Sequence, residues 1–100
     1  MVEVIWTEPA VQDLEGVAEY IVLEKPLAAN HLVAEVLSKV ENLRAHPRMG
    51  KCPQELPASQ YRELTVPPCR IFYRQEKNIV YILHVMRGER LLRAYLLEQR

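Results

Sequence analysis

The sequence predicts an α+β fold: an N-terminal strand, a helical hairpin, then a three-stranded antiparallel meander, with a short C-terminal helix allowed at the end. In the first part, apolar residues recur at intervals of three and four, which is typical of amphipathic helices. In the second part, apolar runs with β-branched and aromatic residues are separated by short turns, which is typical of strands. One hundred residues predict one domain, residues 1–100.

The first two predicted elements are a strand and a helix. Val2–Trp6 is a short apolar run with β-branched residues and predicts a strand. Thr7 is suited to cap the following helix, and Pro9 is tolerated in its first turn. Pro26 is expected to end this helix, because its ring disfavours helical geometry in the residue before it. The apolar stripe of the helix consists of Leu14, Val17, Ala18 and Ile21.

A second helix is predicted to follow at once and to form an antiparallel hairpin with the first. His46-Pro47 is expected to end it, and residues 47–60, which contain three prolines and Gly50, predict an irregular connection. The stripe of this helix consists of Ala29, Val33, Val36, Val40 and Leu43, widened by Leu32 and Leu37.

The meander can be assigned to two sheet faces. A reversal at Pro67-Pro68 places Val66 opposite Cys69, and directly opposed residues share a face. A second reversal at Lys77-Asn78 continues the pattern, whereas a three-residue loop there would reverse every assignment on the last strand. The first face then collects Arg62, Leu64, Val66, Cys69, Ile71, Tyr73, Val80, Ile82, His84 and Met86, and the second Tyr61, Glu63, Thr65, Arg70, Phe72, Arg74, Tyr81, Leu83, Val85 and Arg87.

The two faces have different predicted roles. We expect the helices to cover the first face. The second face mixes aromatic, aliphatic and arginine side chains, which suits a partner better than water. The segment Glu89–Glu98 contains no helix breaker and predicts the short C-terminal helix.

Charge is distributed unevenly along the chain. Residues 1–43 hold eight carboxylates against two lysines, and residues 44–100 hold eleven lysines and arginines against five carboxylates. The net charges are therefore −6 and +6. This asymmetry favours a basic surface for an anionic partner. Neutralisation between the helix surface and the sheet rim is the alternative.

Several classes of protein are disfavoured. Cys52 and Cys69 have neither metal-binding nor redox spacing and are expected to be reduced thiols. No His, Cys or carboxylate pair has ligand spacing, so we expect no metal and no cofactor. The N-terminal residues lack a basic leader, and the longest apolar run, Ile79–Leu83, is too short for a bilayer. We expect a cytoplasmic protein without membrane contact.

The order of these elements, ending in a basic tail, resembles the RelE/ParE superfamily of bacterial toxins and is most similar to its ParE branch. The resemblance spans nearly the whole chain. Its marks are Trp6-Thr7-Glu8-Pro9-Ala10 with Asp13-Leu14, His46-Pro47-Arg48-Met49-Gly50, Tyr61-Arg62-Glu63-Leu64, Arg70-Ile71-Phe72-Tyr73 and Val80-Tyr81-Ile82-Leu83-His84-Val85.

The resemblance implies a function and partners. A ParE-like toxin would inhibit DNA gyrase by binding it, together with its bound DNA, and block replication. A ParD-like antitoxin would neutralise it. The sister RelE branch implies instead a ribosome-dependent mRNA endoribonuclease. A relative that has lost toxicity and only binds the antitoxin is a third reading.

Metal-free RNA cleavage needs a base, an acid and cations around the phosphate. By resemblance to RelE-type toxins, Arg62, Arg70 and Tyr95 fall near such positions. However, Leu64 stands where a lysine is expected and Glu89 near an expected arginine. We therefore predict a binding protein without catalytic residues, not an enzyme.

The predicted partner-binding residues combine cations with aromatic side chains. Arginine forks suit both carboxylates and phosphates, so these residues could contact an acidic antitoxin segment, gyrase or DNA. His84 is expected to be a core or rim histidine rather than a general base. The predicted residues are Arg70, Phe72, Arg74, Tyr81, Arg87, Arg90 and Tyr95.

Overall fold

The computed structural model of the protein describes residues 1–88 and 92–98. The predicted order of elements and the α+β class are confirmed. In chain order the elements are β1 (Glu3–Trp6), α1 (Glu8–Val22), α2 (Pro26–Glu41), a 3₁₀ turn (Asn42–Arg44), β2 (Tyr61–Val66), β3 (Cys69–Glu76), β4 (Ile79–Arg87) and α3 (Ala94–Glu98).

The four strands form one sheet in the order β1-β4-β3-β2. The meander β2-β3-β4 is antiparallel, and β1 lies parallel to β4. The helical hairpin therefore forms the crossover between β1 and the meander. It packs on the first face of the sheet, where its apolar stripes join Leu64, Ile71 and Ile82 in the main core.

Thr7 begins α1 and also ties it to the sheet. Its hydroxyl oxygen accepts a hydrogen bond from the Ala10 amide at 3.4 Å, which is the predicted cap. The same hydroxyl donates to the carbonyl of Ile82 at 2.7 Å. The start of α1 is thereby fixed beside the middle of β4.

The hairpin follows the prediction with two differences. α1 ends at Val22, and Pro26 opens α2 in its first turn, where a missing amide costs nothing. Leu32 is buried as predicted, but Leu37 is exposed, so widening the α2 stripe to Leu37 was wrong. Leu37 faces the groove between the two helices rather than the sheet.

The turn of β3 into β4 is the predicted two-residue reversal at Lys77-Asn78, with Glu76 opposite Ile79. The predicted reversal at Pro67-Pro68 is also confirmed, with Val66 opposite Cys69. These two turns fix the register of the whole meander except for the second half of β4.

A bulge changes the faces of the last residues of β4. Tyr73 lies opposite Ile82, but Phe72 lies opposite His84, so Leu83 is an extra residue in β4. The predicted faces of His84, Val85, Met86 and Arg87 were therefore wrong. His84 and Met86 pair with Phe72 and Arg70, whereas Val85 and Arg87 pair with Ile71 and Cys69.

The second face is not open over its centre. Phe72, Leu83 and Met86 are buried there beneath Leu92 and Leu97 of the C-terminal segment. Half-buried Leu56 of the connection between α2 and β2 packs against this smaller core, as do Tyr61 of β2 and Tyr81 of β4. The expectation that the second face suits a partner was wrong over this part, because the C-terminal segment and Leu56 of the connection cover it.

The irregular connection 47–60 is held by a tyrosine. The Tyr73 hydroxyl donates to the carbonyl of Pro47 and accepts from the amide of Gly50, both at 2.9 Å. Burial raises the pKa of Tyr73, which keeps it a neutral donor. A Cβ on Gly50 would lie 2.6 Å from the Tyr73 hydroxyl, so this close approach requires glycine.

None of the described helices is long and apolar enough to cross a membrane. Within residues 1–88 and 92–98, no group of three or more His, Cys, Asp or Glu side chains could hold a metal ion.

Candidate functional site

Arg70 is the most constrained of the predicted partner-binding residues. Its guanidinium donates to Glu55 at 2.7 and 2.8 Å and to Glu63 at 2.8 and 3.0 Å. It also lies over the Phe72 ring, 4.9 Å from the ring centre. We call Arg70, Glu55 and Glu63 the Arg70 cluster. These contacts give Arg70 a structural role within the fold.

The electrostatics of the Arg70 cluster keep Arg70 and Glu55 charged. Hydrogen bonds from Arg70 lower the pKa of Glu55 from its ordinary value of 4.5 to about 2, against the opposing effect of burial. The hydrogen bonds to Glu55 and Glu63 raise the pKa of Arg70 further above its usual range. Arg70 and Glu55 therefore form an ion pair at every pH of physiological interest.

The Arg70 cluster also positions the C-terminal segment. Glu55 Oε2 accepts a hydrogen bond from the Leu92 amide at 3.0 Å. Leu92 is the first residue of the described range 92–98 and belongs to the smaller core. One carboxylate thus fixes the irregular connection, the sheet and the tail together. Phe72 beneath them is fully buried, at 0% exposure, and does not reach the surface.

Arg74 and Tyr81 form a pair at the opposite end of the meander. The Arg74 guanidinium lies over the Tyr81 ring, 4.8 Å from its centre. Arg74 Nη1 is 3.1 Å from Glu76 Oε1, a charge contact that lacks the angles of a hydrogen bond. Since Tyr81 is half-buried and Glu76 exposed, this pair lies at the rim.

A cleft of about 660 Å³ lies between α1, the end of β4 and α3. Its volume is within the range of ligand sites in proteins. We call it the β4 cleft. Two predicted residues, Arg87 and Tyr95, belong to it. The described residues that line it are Gln12, Asp13, Gly16, Val17, Tyr20, His84, Val85, Met86, Arg87, Arg93, Tyr95 and Leu96.

Asp13 joins α1 to β4 at the base of the β4 cleft. Its Oδ2 is 2.6 Å from Nδ1 of His84 and accepts the Val85 amide at 3.2 Å. His84 is nearly buried and stacks on Phe72, with ring centres 5.9 Å apart. The expectation of a rim or core histidine is therefore confirmed. Asp13 orients this imidazole and fixes the helix to the strand.

The walls of the β4 cleft carry cations and aromatic rings. Arg87 lies over the Tyr20 ring, 4.8 Å from its centre. Tyr20 is 62% exposed and Tyr95 is 53% exposed, and Arg93 is exposed beside them. A wall of this kind binds carboxylates or phosphates through arginine and presents flat apolar surface through tyrosine.

The structure thus divides the predicted residues into three groups. Arg70 and Phe72 lie inside the fold, Arg74 and Tyr81 at a rim, and Arg87 and Tyr95 in the β4 cleft. Arg90 lies outside the described residues. Sequence reasoning missed the α1 wall of the cleft, although Asp13, Gly16 and Tyr20 have the i, i+3, i+7 spacing of one helix face.

Comparison with known proteins identifies a small bacterial toxin of a type II system. Residues 4–92 match the family described as "ParE toxin of type II toxin-antitoxin system, parDE". The chain is 32% identical over 92 residues to "Toxin RelE2" of Caulobacter vibrioides, covering 91% of this chain and 100% of that protein.

A solved structure agrees with this match. It is described as "Chromosomal ParDE TA system from P. aeruginosa" and superimposes with a TM-score of 0.76 at 27% identity, over 89% of this chain and 98% of that one. The chain belongs to the ParE toxin family. The resemblance inferred from sequence to the RelE/ParE superfamily is confirmed, and an antitoxin is a partner of such a toxin.

Proposed function

We propose that this protein inhibits DNA gyrase by binding it and so blocks DNA replication, without chemistry of its own. Membership of the ParE family supports the proposal. The observation that carries it is that the basic residues on the sheet, which RNA cleavage would need, are engaged in the fold. Arg70 is held by two carboxylates, and Leu64 is a core residue at 4% exposure.

Arg62 is engaged in a similar way. Its Nη1 donates to the carbonyl of Gly50 at 2.6 Å and to that of Arg48 at 3.2 Å. These bonds anchor the irregular connection to β2. A cation that stabilises a phosphate during cleavage must be free to face it, and carboxylates beside it would repel that phosphate. Arg70 does not meet this condition, because two carboxylates surround it, and the Nη1 of Arg62 is already used by two carbonyls.

A ribosome-dependent mRNA endoribonuclease is the second candidate. The name of the Caulobacter relative, Toxin RelE2, favours it. So does the exposure of Tyr95 beside Arg93 in the β4 cleft, where an acid and a cation would be accessible to RNA. A protein that only binds the antitoxin would lack both activities.

We take residues 1–100 as one toxin domain that acts in the cytoplasm. Its partners are a ParD-like antitoxin and DNA gyrase with its bound DNA. The proposed contacts with these partners are the half-buried Arg74 and Arg87 and the exposed Tyr95, together with Arg90.

Inhibition of supercoiling by purified gyrase tests the proposal. We expect wild-type protein to inhibit, and Arg74→Ala, Arg87→Ala and Arg90→Ala to weaken inhibition by degrees, because each exposed contact supplies part of the affinity. Lys25→Ala, an exposed cation at the hairpin break, is the control. Gyrase that remains fully active with excess toxin, while the toxin still arrests growth, would end the gyrase proposal.

Primer extension on a translated message tests the second candidate. We expect no cleavage. Codon-positioned cuts that disappear with Tyr95→Phe would favour the nuclease, because loss of one catalytic group typically costs about a hundredfold or more in rate. Arg70→Ala is unsuitable for either assay, since its loss disturbs the fold.

A further inference from the structure

A small polar hollow lies at the opposite end of the meander from the β4 cleft, where the connection between α2 and β2 meets β2 and β3. It has a volume of about 280 Å³ and is lined by Arg48, Ser59, Gln60, Arg62 and Gln75. We call it the β2 hollow. Among the described residues, its lining includes no carboxylate and no large apolar side chain. Small-molecule sites are usually larger, so the hollow suits a single group of a larger ligand.

The two arginines of the β2 hollow differ from those that the fold neutralises. Arg44, Arg70 and Arg74 each lie within ion-pair distance of a carboxylate. Within residues 1–88 and 92–98, neither Arg48 nor Arg62 forms such a pair. Two cations that line one small hollow without a counter-charge repel each other, and a bound anion would remove this repulsion.

Arg62 is held in position without losing its charge to a partner. It is half-buried, and its Nη1 donates to the carbonyl of Gly50 at 2.6 Å and to that of Arg48 at 3.2 Å. A guanidinium carries five N–H donors, so these bonds leave the donors on Nε and Nη2 for a ligand. Because the side chain is already ordered, it loses little conformational freedom when a ligand binds.

The other lining residues favour phosphate over a protein partner. Ser59, Gln60 and Gln75 are neutral, and their side-chain types, together with arginine, make most contacts to nucleic-acid phosphates. A protein partner gains affinity mainly from buried aromatic and apolar anchors, which none of the lining residues supplies a pocket for. Residues 42–54 contain three lysines and arginines and no carboxylate, so the surrounding surface also attracts a polyanion.

We infer that the β2 hollow binds a backbone phosphate of a nucleic acid, with Arg48 and Arg62 as its cations. Such contacts position a protein on a strand and are independent of base sequence. Serine, glutamine and arginine do not titrate near neutral pH, so the lining supplies neither a general base nor a general acid for cleavage. The inference goes beyond the proposed function, because it gives the toxin its own contact with nucleic acid and does not require gyrase as the target.

Removal of Arg48 tests the inference, since this exposed side chain accepts no load from the fold. A labelled DNA duplex of about 20 base pairs is titrated with the purified toxin by fluorescence polarisation at several salt concentrations. Arg48→Ala is expected to weaken binding by about tenfold at low salt, because a hydrogen bond to a charged group is lost. The slope of log affinity against log salt should fall by about one, equally for duplexes of different sequence.

A change of charge inside the β2 hollow gives a second, nearly isosteric test. Gln60→Glu adds a carboxylate beside the arginines and should weaken DNA binding with an unchanged thermal midpoint, because Gln60 is exposed. Gln54→Glu is the matched control, at an exposed position of the same connection that does not line the hollow, and should bind within about twofold of wild type. Unchanged affinity and salt slope in both Arg48→Ala and Gln60→Glu would overturn the inference. So would an equal loss in Gln54→Glu, since net charge would then explain it.

An acidic peptide is the competing occupant. A labelled oligoglutamate is titrated against the same variants. Peptide binding that is lost in Arg48→Ala and Gln60→Glu, with DNA affinity intact, would reject the phosphate site. A single-stranded RNA is the remaining probe, and tighter binding of RNA or of DNA, weakened by both substitutions, would support the site and identify the polymer. These titrations contain no gyrase, so failure of the gyrase proposal leaves them unaffected.

Discussion

Arg70 and Arg87 lie near each other at the same end of the sheet, on neighbouring strands, and have opposite environments. Arg70 points to the second face, where Glu55 and Glu63 enclose it. Arg87 lies opposite Cys69, on the face of the helices, and rests on the exposed ring of Tyr20 in the β4 cleft. The difference shows that an arginine on a strand takes its role from the carboxylates that other segments bring to it. The side chains of the Arg70 cluster are enclosed by the fold, whereas the β4 cleft is open at the surface and is lined by exposed side chains such as Tyr20 and Tyr95.

The largest expected effect is the loss of Arg70. Arg70→Ala leaves Glu55 and the buried Glu63 without their cation, and removing one partner of a buried ion network costs about 3–5 kcal/mol. Arg93→Ala in the β4 cleft should change stability by less than about 0.5 kcal/mol. Thermal or urea unfolding measures both. Equal stability of the two variants would show that the Arg70 cluster contributes no more to folding than the β4 cleft does.

The pH dependence of stability tests the Arg70 cluster without removing the arginine. Because the pKa of Glu55 is lowered from 4.5 to about 2 in the folded protein, its contribution is complete above pH 4.5 and is lost as the pH falls towards 2. Glu55→Gln should be less stable at neutral pH and lose less stability across this range. Glu24→Gln, at an exposed carboxylate, should keep the wild-type slope in urea unfolding at each pH.

Gly50, near the Arg70 cluster, can be compared with Gly16, in the β4 cleft. Gly50→Ala brings a Cβ within 2.6 Å of the Tyr73 hydroxyl and 2.8 Å of the Glu63 carbonyl, so the connection must shift. We expect a loss of about 1–3 kcal/mol in the free energy of unfolding. Unchanged stability of Gly50→Ala would show that the segments around the Tyr73 hydroxyl can move to accommodate the added methyl group.

Substitution of Gly16 is expected to raise stability, unlike substitution of Gly50, and to have the smallest effect. Gly16→Ala should raise the stability of the free toxin by up to about 1 kcal/mol, since alanine favours the helix and its Cβ meets open space. Calorimetric melting of the free toxin measures it. A destabilised Gly16→Ala would mean that the fold itself requires this glycine.

Local signals in the sequence were sufficient for most of the fold. Thr7 as a cap, Pro67-Pro68 and Lys77-Asn78 as turns, and Leu64 as a core residue all follow from rules that involve near neighbours in the chain. Alternation failed after Ile82, because Leu83, Val85 and Met86 are all apolar and suit either face. The β-bulge that separates them leaves no mark in the pattern.

The sequence by itself determined the class, the order of elements, the family and the types of residue available for binding, because helix periodicity, turn chemistry and charge are carried by short segments. Only the tertiary structure decided which arginine is enclosed by carboxylates and which lies in the β4 cleft. Glu55 lies in an irregular connection, 15 residues from Arg70, and Asp13 is 71 residues from His84. Contacts between segments so far apart depend on the packing of the whole chain, so no local pattern could assign Arg70 to the interior or place Gly16 and Arg87 in one cleft.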